Sequence, residues 1–531
     1  MKTTAFFIIL AAYIIYAGIF IFRTSFVIDG ERYYSLFDDA MISMRYAKNL
    51  SDGHGLVWNP GGERVEGFTN PLWVFYMSIF HFLPIPPSKI SLFIQISGAF
   101  ILIANLFFVL KIAASLIGRS AFFPLAAVFL TAFYLPLNNW ALQGMEVGLL
   151  TLMVSASIWK ALQVMRNGEP SFGLFLLLGV STLVRMDMAV FALTVIVFLA
   201  ISDVKNRRFH LKWGISLLVA FLAVWTIFRI FYYSDALPNT YYLKMTGYPI
   251  FLRIARGLSV TWDFIARMSL PVFLIPFVLL LWRRGKRVLL LFWVFLIQVA
   301  YSIYVGGDAW EYWGGSNRYV SVVMPLFFVL FCASLAEAEK WLSVKIGENG
   351  QFTKMWTKSL VTIVLLIALV KLNVIYSPNP TLQEWLLLKP PLAVADNKKM
   401  VQESLLLKEI TDPEATIAVV WAGAIPYFSD RQAVDMLGKN DRIIARRKIE
   451  VPDGTEKYTA FYPGHMKWDY SYSITELKPD VIVQLYGVTD AEIDPVLAPD
   501  YWKVLIDGFV LHMRTDSRHI DWNIVNVRGQ K

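Results

Sequence analysis

Residues 37–73 read FDDAMISMRYAKNLSDGHGLVWNPGGERVEGFTNPLW, a polar segment between the first apolar stretch and a long series of others. Asp38 and Asp39 are adjacent where a chain that leaves lipid would meet water. Adjacent carboxylates in such a place carry out chemistry, bind a cation or cap a short helix. This segment therefore marks the start of a membrane domain and the place where function is to be sought.

The composition is that of a polytopic membrane protein. Of 531 residues, 56% are hydrophobic, 15% are aromatic and only 17% are charged, and the mean hydropathy is +0.52. A soluble globular chain has about 25% charged residues. The net charge of +9 comes mostly from Lys and Arg clusters between apolar segments, which membrane topology explains better than nucleic-acid binding. The single cysteine, Cys332, can form no intramolecular disulfide.

Apolar segments predict about eleven membrane crossings. The first, residues 4–22, lacks a small-residue cleavage site and is interpreted as a retained signal anchor. The others are 90–110, 121–138, 146–165, 171–184, 187–202, 213–231, 264–282, 288–305, 319–337 and 359–376. Residues 71–83 are too short to span comfortably and are expected to be interfacial or re-entrant. If they did cross, the C-terminal domain would face the cytoplasm.

The distribution of Lys and Arg indicates the orientation. With the N-terminus inside, every basic cluster between the spans falls on the cytoplasmic side, as the positive-inside rule requires. The outer side then collects the segments 23–89, 138–146, 232–263 and 306–318 and the tail after Tyr376. We therefore expect a multi-pass protein of the bacterial inner membrane whose site and C-terminal domain are extracytoplasmic.

The fold class predicted is a mainly α polytopic membrane protein with a C-terminal α/β domain. Residues 1–376 form the transmembrane domain, with 23–89 as its catalytic first loop, and 377–531 form the soluble domain. In the latter, strand-like runs at 415–421, 480–487 and 501–514 alternate with helix-like segments such as 397–410. The motifs GxGxxG, GxxxxGK[ST] and GxSxG do not occur there, which argues against nucleotide binding and serine hydrolysis.

Two pairs of charged residues stand out. The short segments 171–184 and 187–202 meet at Arg185 and Asp187, which predicts two half-depth helices whose junction faces a hydrated cavity or, alternatively, is tied by an ion pair. Asp38 is expected to cap a helix that runs from about residue 39 to 50 and ends at Gly53. Capping explains one acid but not two. A carboxylate kept ionised by a helix N-terminus and by Arg45 could serve as a general base towards a sugar hydroxyl.

These patterns resemble the integral-membrane glycosyltransferases of the GT-C class, in particular the terminal β-(1→2)-arabinofuranosyltransferase (AftB-like) family. The first outer loop carries the resemblance. It extends to LVRMD at 183–187, ALPNTYYLK at 236–244, VGGDAWEYWGGSNRYVSVVMP at 305–325, and AGAIPYFSDRQAVDMLGKND and YPGH in the tail. LVRMD has Met186 where Pro is more usual between the Arg and the acid.

The resemblance implies an enzyme that transfers a sugar from a polyprenyl-phosphate donor to an extracytoplasmic hydroxyl with inversion. It implies that Asp38 or Asp39 is the base; spacing does not say which. We expect the leaving phosphate to be held by cationic groups, and a divalent cation could replace some of them. The candidates for phosphate binding are Arg45, Arg185, Lys244, Arg318 and His465. The candidates for acceptor binding are His54, Trp58, Asp308 and Trp313.

Several of these residues have plainer interpretations. His54 could simply be a surface residue, and Trp58 could anchor the chain at the lipid interface. Asp308 could bind acceptor sugar, bind metal or only form a turn. The acceptor could be a glycan, a lipid or a protein, and membrane lipids are expected partners. Two other classes remain as alternatives: a multi-helix transporter or lipid flippase, and a non-catalytic membrane scaffold with an extracytoplasmic binding domain. Transporters usually show paired repeats and polar residues at the bilayer midplane.

Overall fold

The computed structural model describes residues 2–118, 121–311, 317–345, 351–374, 381–449, 461–498 and 500–529. The chain divides into two compact units. Unit 1 comprises Met1–Arg23, Gln95–Val224 and Ile250–Leu392, and unit 2 comprises Thr24–Ile94, Trp225–Pro249 and Ala393–Lys531. This division differs from the predicted one, because the first outer loop and Trp225–Pro249 form one compact unit with the C-terminal residues. The predicted boundary at 376/377 lies outside the described residues.

The structure is mainly helical, with two small β-sheets. The helices are α1 Lys2–Arg23, α2 Asp38–Ser51, α3 Pro71–His81, α4 Pro87–Ile117, α5 Phe122–Ala132, α6 Leu135–Leu142, α7 Val147–Asn167, α8 Phe172–Val184, α9 Met188–Ser202, α10 Arg207–Tyr233, α11 Asn239–Met245, α12 Ile250–Met268, α13 Leu270–Trp282, α14 Lys286–Val305, α15 Arg318–Ser321, α16 Met324–Lys345, α17 Gln351–Asn373, α18 Thr381–Trp385, α19 Val394–Ile410, α20 Ala424–Ser429, α21 Arg442–Arg446, α22 Asp490–Leu497 and α23 Trp522–Arg528. The strands are β1 Phe26–Ile28, β2 Glu31–Tyr33, β3 Thr416–Val419, β4 Gln432–Asp435, β5 Val481–Ile482, β6 Tyr501–Ile506 and β7 Phe509–Arg514.

Apolar helices long enough to span a membrane account for much of unit 1. Among the described residues, α1, α4, α7, α10 and α14 meet that criterion by length and composition. The bent pairs α5 with α6 and α12 with α13 bring the number to seven if each pair counts as one span. The helices α8 and α9 are shorter, as predicted. The chain is therefore a multi-pass membrane protein, and the count of about eleven crossings stays a prediction.

The predicted continuous span 264–282 is wrong. The chain bends by 93° between α12 and α13. At the bend Ser269 has a φ of 82°, a left-handed conformation that interrupts a helix. Pro271 then lies in the first turn of α13, where its missing N–H costs nothing. By contrast, α3 has 11 residues and a length of about 16 Å, which is too short to cross.

Close helix packing in unit 1 depends on glycine at a few contacts. A Cβ on Gly98 of α4 would lie 2.5 Å from the carbonyl oxygen of Ala141, and one on Gly257 of α12 would lie 2.2 Å from that of Ile303. Both distances are far below van der Waals contact. Glycine at these positions therefore allows two backbones to approach closely, as is common between membrane helices.

Unit 2 contains a five-stranded sheet of order β4-β3-β5-β7-β6. The first three strands are parallel, whereas β7 runs antiparallel to both β5 and β6. The predicted run 501–514 is a hairpin whose turn is Asp507-Gly508, both with positive φ, as expected of an Asp-Gly turn. The predicted α/β character of the C-terminal domain is confirmed. The strands β1, β2 and β4 were not predicted.

Candidate functional site

The two acids of the first outer loop lie at the start of α2. The helix begins at Asp38 itself and its N-cap is Phe37, so the prediction that Asp38 is the N-cap is wrong. Instead, Asp38 Oδ1 accepts hydrogen bonds from the backbone N–H groups of Gly423 at 3.2 Å and Ala424 at 2.9 Å. These groups belong to the start of α20, where N–H groups lack partners within the helix. The carboxylate is therefore held in place by a segment almost 400 residues away in sequence.

Gly423 permits this contact. A Cβ at position 423 would lie 2.1 Å from the carbonyl oxygen of Asp38 and 2.7 Å from its Oδ1. Any larger residue would push α20 away from the carboxylate. The AGAIP stretch in the tail thus has a direct physical connection to the acidic motif.

The second oxygen of Asp38 is in a different environment. Oδ2 is buried and accepts no hydrogen bond from the described residues. Burial raises the pKa of Asp38 to about 6, although the charge of Lys439 and the hydrogen bond from Ala424 act in the opposite direction. A carboxylate with that pKa is mostly ionised at neutral pH, but still has appreciable affinity for a proton.

Asp39 is paired with a lysine that the sequence analysis did not select. Lys439 Nζ lies 2.6 Å from Asp39 Oδ1, and the lysine is 5% exposed. Burial alone would lower the pKa of Lys439. The charges of Asp39 and Asp38 together raise it by more than burial lowers it, so the pKa of Lys439 is above its usual value. The ammonium is therefore charged and faces both acids. GKND was part of the stretch that carried the resemblance, but it had no assigned role.

The loop that carries Lys439 is fixed by two buried polar side chains. This Lys439 loop, residues 436–441, follows β4. Asp435 at the end of that strand accepts from the N–H groups of Leu437 and Gly438 through Oδ1, and from Asn440 through Oδ2. Since β4 is parallel to its neighbour, the loop lies at the carboxyl edge of the sheet, where ligands bind in open α/β sheets.

The ALPNTYYLK segment holds the same loop from the other side. Asn239 Nδ2 donates to the carbonyl oxygens of Gly438, Lys439 and Asp441 at 2.9, 3.0 and 3.0 Å. Its own N–H donates to the Glu66 carbonyl oxygen. The asparagine therefore connects the Lys439 loop to the first outer loop.

That connection rests on a buried ion pair. The Glu66 carboxylate contacts the guanidinium of Arg229 on α10, and both side chains are 2% exposed. Trp225 Nε1 donates to the same carboxylate at 2.9 Å. Nearby, a Cβ on Gly67 would lie 1.8 Å from Asn440 Oδ1, so this glycine allows the two loops to touch.

His465 and Lys244 lie close to the acid pair. The charges of Lys439, Asp39 and Lys244 all act on His465, and a Cβ on Gly464 would lie 3.0 Å from Lys244 Cε. The structure therefore brings together four predicted site residues, Asp38, Asp39, Lys244 and His465.

The predicted phosphate contact of His465 stays a prediction, but the surroundings of the ring do not favour its charged form. Burial, followed by the charge of Lys439, lowers the pKa of His465 to about 3. The ring is therefore neutral near pH 7. Its Nδ1 lies 3.2 Å from the Pro463 carbonyl oxygen, and a carbonyl can only accept, so the proton is assigned to Nδ1. This leaves Nε2 as a hydrogen-bond acceptor, not a charged donor.

Aromatic rings surround this histidine. The ring centroids of Tyr462, Trp421 and Tyr486 lie 4.9, 6.1 and 6.2 Å from that of His465. Trp421 follows β3 and Tyr486 follows β5, so both lie at the same sheet edge as the Lys439 loop. Flat apolar faces beside a carboxylate pair suit a sugar ring.

Three other predicted residues of unit 2 make contacts that differ from the predicted ones. Arg45 is buried, and its guanidinium donates to the carbonyl oxygens of Trp58, Pro426 and Arg431. It joins α2 to the α20 segment, and the structure does not support its predicted phosphate contact. Trp58 is buried and its Nε1 donates to the Ala422 carbonyl oxygen. His54 is exposed beyond the far end of α2, about 20 Å along the helix from Asp38.

The remaining candidates belong to unit 1. Arg185 pairs with Asp187 at 2.5 Å and with Glu146 at 3.4 Å, which confirms the predicted arginine–aspartate pair. Arg318 binds Asp308 through two hydrogen bonds of 2.7 and 3.0 Å. The charges of the two arginines act on each other, so they lie close together. Trp313 lies outside the described residues.

No metal centre is evident in the described part of the chain. It contains no group of three or more His, Cys, Asp or Glu side chains that could hold a metal ion. The two site acids face an ammonium, which competes with a cation for the same oxygens.

Comparison with known proteins gives three results. Residues 393–526 match the model of a domain of unknown function (DUF8728). Over 216 residues the chain is 28% identical to the terminal β-(1→2)-arabinofuranosyltransferase of Mycobacterium tuberculosis (strain ATCC 25618 / H37Rv), a match that covers 38% of this chain and 34% of that protein. The matched region is thus about a third of the relative's length.

Two solved structures share the fold at 11% sequence identity. ArnT from Cupriavidus metallidurans bound to undecaprenyl phosphate aligns with a TM-score of 0.56 over 96% of this chain and 98% of that one. The apo oligosaccharyltransferase of Archaeoglobus fulgidus aligns with a TM-score of 0.55 over 98% and 74%. The chain therefore has the fold of the integral-membrane GT-C glycosyltransferases and is similar in sequence to the terminal β-(1→2)-arabinofuranosyltransferase (AftB-like) family, as the sequence predicted.

Proposed function

We propose that this protein is an inverting glycosyltransferase that moves a sugar from a polyprenyl-phosphate donor to an acceptor hydroxyl. The observation that carries the proposal is the ion pair of Asp39 with Lys439, whose charge also acts on Asp38, at the carboxyl edge of the sheet in unit 2. The shared fold and the sequence similarity to an arabinofuranosyltransferase support it. ArnT was solved with undecaprenyl phosphate bound, a lipid of the proposed donor class.

Asp38 is the better candidate for the general base. Its Oδ1 is held by two backbone N–H groups, which fix the carboxylate, while Oδ2 accepts no hydrogen bond from the described residues. A pKa of about 6 lies near the working pH, where general bases are most effective. Asp39, in contrast, balances the charge of Lys439.

The bond changes then follow directly. Oδ2 of Asp38 takes the proton of the acceptor hydroxyl, and the resulting oxygen attacks the anomeric carbon from the side opposite the phosphate. The bond from that carbon to the phosphate oxygen breaks and the electron pair leaves with the lipid phosphate. Lys439 and Lys244 are cations near this position and would stabilise the departing charge. Attack opposite to the leaving group inverts the anomeric centre.

His465 and the aromatic side chains would contact the acceptor. Its neutral ring can accept a hydrogen bond from a sugar hydroxyl through Nε2, and the rings of Trp421, Tyr462 and Tyr486 offer stacking surfaces. Arg185 and Arg318 are both paired with acids in unit 1. Their predicted phosphate contacts remain to be tested by Gln substitutions with donor affinity as the readout.

The transferred sugar and the location are part of the proposal. Arabinofuranose is the sugar named for the relative, and we propose it as the donor sugar here. The basic clusters between the apolar helices favour a bacterial inner-membrane location with unit 2 outside the cytoplasm. A transporter or flippase is not favoured, because solved proteins that share the fold over most of the chain include an oligosaccharyltransferase.

Transfer of arabinofuranose from a polyprenyl-phosphate donor to an oligosaccharide acceptor tests the proposal. Asp38→Asn keeps the side-chain shape and is expected to reduce turnover by at least about 100-fold, and Lys439→Gln is expected to reduce it comparably. Asp52→Asn at the exposed C-terminal end of α2 is the matched control and should retain activity. Full transfer by the Asp38→Asn variant would refute the proposed base. No transfer by the intact protein from a panel of polyprenyl-phosphate sugars would refute the enzyme assignment.

A further inference from the structure

A second charged feature occupies the junction of α13 and α14 in unit 1. A pocket of about 540 Å³ is lined by the basic residues Arg283, Arg284, Lys286 and Arg287, and by the apolar residues Leu116 and Met165. This volume is in the usual range of ligand pockets, about 300–1,000 Å³. The proposed transfer reaction uses none of these residues.

The pocket lies at a membrane surface. Leu116 is in the last turn of α4, Met165 is in the last turn of α7, and Lys286 begins α14. All three helices are long and apolar enough to cross a membrane. Their ends therefore meet at the level where lipid headgroups lie. It is the end of α14 opposite to Gly306, which precedes the Asp308 loop.

The pocket has a strong excess of positive charge. Four of its lining residues are cationic and none is acidic. Among the described residues, Glu337 is the one acid in an ion pair with this group, through Arg283. Four cations minus one carboxylate leave a formal charge of +3, which has to be balanced by an anion from outside the described chain or by solvent.

The cations also have hydrogen-bond donors to spare. Arg284 Nε donates to the Leu280 carbonyl oxygen at 3.0 Å and Arg287 Nη1 donates to that of Ser115 at 3.3 Å. These bonds satisfy carbonyl groups at helix C-termini. Each uses a single N–H, and a guanidinium has five. The plainer role of capping helix ends therefore accounts for only part of the donor capacity.

The N-terminus of α14 adds to the positive electrostatic potential of the pocket. Gly285 is its N-cap, and among the described residues no side chain caps this end. The helix has 20 residues, and its N-terminus carries a partial positive charge and free N–H groups that favour phosphate. An anion in the pocket would thus meet backbone donors as well as side-chain cations.

Apolar side chains next to the pocket can accommodate lipid chains. Trp282, which lines the pocket, is 37% exposed, and the neighbouring Leu281 is 73% exposed. Tryptophan at the end of a membrane helix is typical of the headgroup level. The combination of a cationic pocket with an exposed apolar flank suits an amphiphile better than a soluble anion.

We propose that this pocket binds the headgroup of an anionic phospholipid, with preference for one that carries two phosphates, such as cardiolipin. The phosphates contact Arg284, Lys286 and Arg287, and an acyl chain lies along Leu281 and Trp282. Basic pockets between membrane helices are known to take such headgroups. The pocket shares no residue with the acid pair, and the proposal does not depend on the transferase activity.

Native mass spectrometry of the full chain in detergent tests the proposal, with cardiolipin, phosphatidylglycerol or phosphatidylcholine added. We expect retained adducts in the order cardiolipin, then phosphatidylglycerol, with phosphatidylcholine weakest. The double variant Arg284→Gln, Arg287→Gln should bind cardiolipin at least about tenfold more weakly, since each surface cation contributes a factor of about five. Arg283 is left unchanged because it is paired with Glu337.

A matched control distinguishes specific binding in the pocket from general electrostatic attraction of anionic lipids to the protein. Lys205→Gln, Arg208→Gln removes the same charge from two exposed positions, one in the loop before α10 and one in the first turn of that helix, and should bind within twofold of the unmodified chain. An equal loss in both variants, or no loss in the pocket variant, would overturn the proposal. Equal competition by glycerol 1-phosphate would also overturn it, because it would indicate a soluble-anion site. If the double variant is not recovered folded, Arg284→Gln is compared with Arg208→Gln by the same criteria.

Discussion

Replacement of Asp38 by Asn is expected to stabilise the protein while it abolishes transfer. The pKa of Asp38 is raised from 3.8 to about 6, chiefly by burial. The folded state therefore holds this proton more tightly than the unfolded state does. As pH rises from about 4 through 6, the folded state loses stability, because it must bury a charge that the unfolded state exposes to water.

The magnitude follows from the shift. A pKa difference of about two units corresponds to about 3 kcal/mol at neutral pH. The amide of the Asp38→Asn variant would keep an oxygen for the N–H groups of Gly423 and Ala424 and would carry no charge. The variant should therefore recover up to about 3 kcal/mol at pH 7.5 and only about 0.5 kcal/mol at pH 4, where the folded carboxyl is protonated and the unfolded one is about half ionised.

Thermal unfolding of both proteins in one detergent, at pH 7.5 and pH 4, measures this difference. We expect the melting temperature of Asp38→Asn to exceed that of the wild type by a few degrees at pH 7.5 and by a much smaller margin at pH 4. A lower melting temperature at pH 7.5 would refute the reasoning, because it would mean that Lys439 stabilises the charged form by more than burial destabilises it. Asp39→Asn is the counterpart, and it should destabilise at pH 7.5 by leaving the buried Lys439 without its 2.6 Å partner.

Three more predictions concern the site and its frame. Gly67→Ala would place a Cβ 1.8 Å from Asn440 Oδ1, and should lower turnover at least about tenfold and stability by about 1–3 kcal/mol, as measured by transfer and thermal unfolding. Asn239→Ala removes three hydrogen bonds to the Lys439 loop, and should cost about 1–3 kcal/mol and lower kcat more than it raises KM. The wild-type pH–rate profile should fall about tenfold per unit below about pH 6, because Asp38 must be ionised to act as a base; a flat profile from pH 5 to 8 would contradict that role.

The helical framework could be predicted because it depends on local sequence. Each long apolar helix follows from a run of residues that favours lipid, and the short pair α8 and α9 was recognised by its length. The break at Ser269 was missed because residues 264–282 together have the length and the average apolar character of one span, and the decisive feature is one residue with positive φ. The strand β4 was missed because it has only four residues and because polar and apolar residues do not alternate clearly along it.

The grouping of the chain into units could not be read from the order of segments. Unit 2 is assembled from three separate stretches. Their association depends on side-chain contacts such as Asn239 to the Lys439 loop and Glu66 to Arg229. Such contacts join positions about 160 to 200 residues apart, and hydropathy gives no indication of them.

The basic residues of unit 2 show most clearly why the site was only partly predicted. Arg45 was chosen because it is near Asp38 in sequence, but on α2 it lies about 10 Å further along the axis, and its guanidinium donates to backbone carbonyls instead. Lys439 was not chosen, although it is the cation that contacts Asp39, because 400 residues separate the two. Charge alone does not distinguish them. The difference arises from the segment 423–431 around α20: its carbonyl groups at Pro426 and Arg431 accept from Arg45. Its N–H groups at Gly423 and Ala424 hold Asp38.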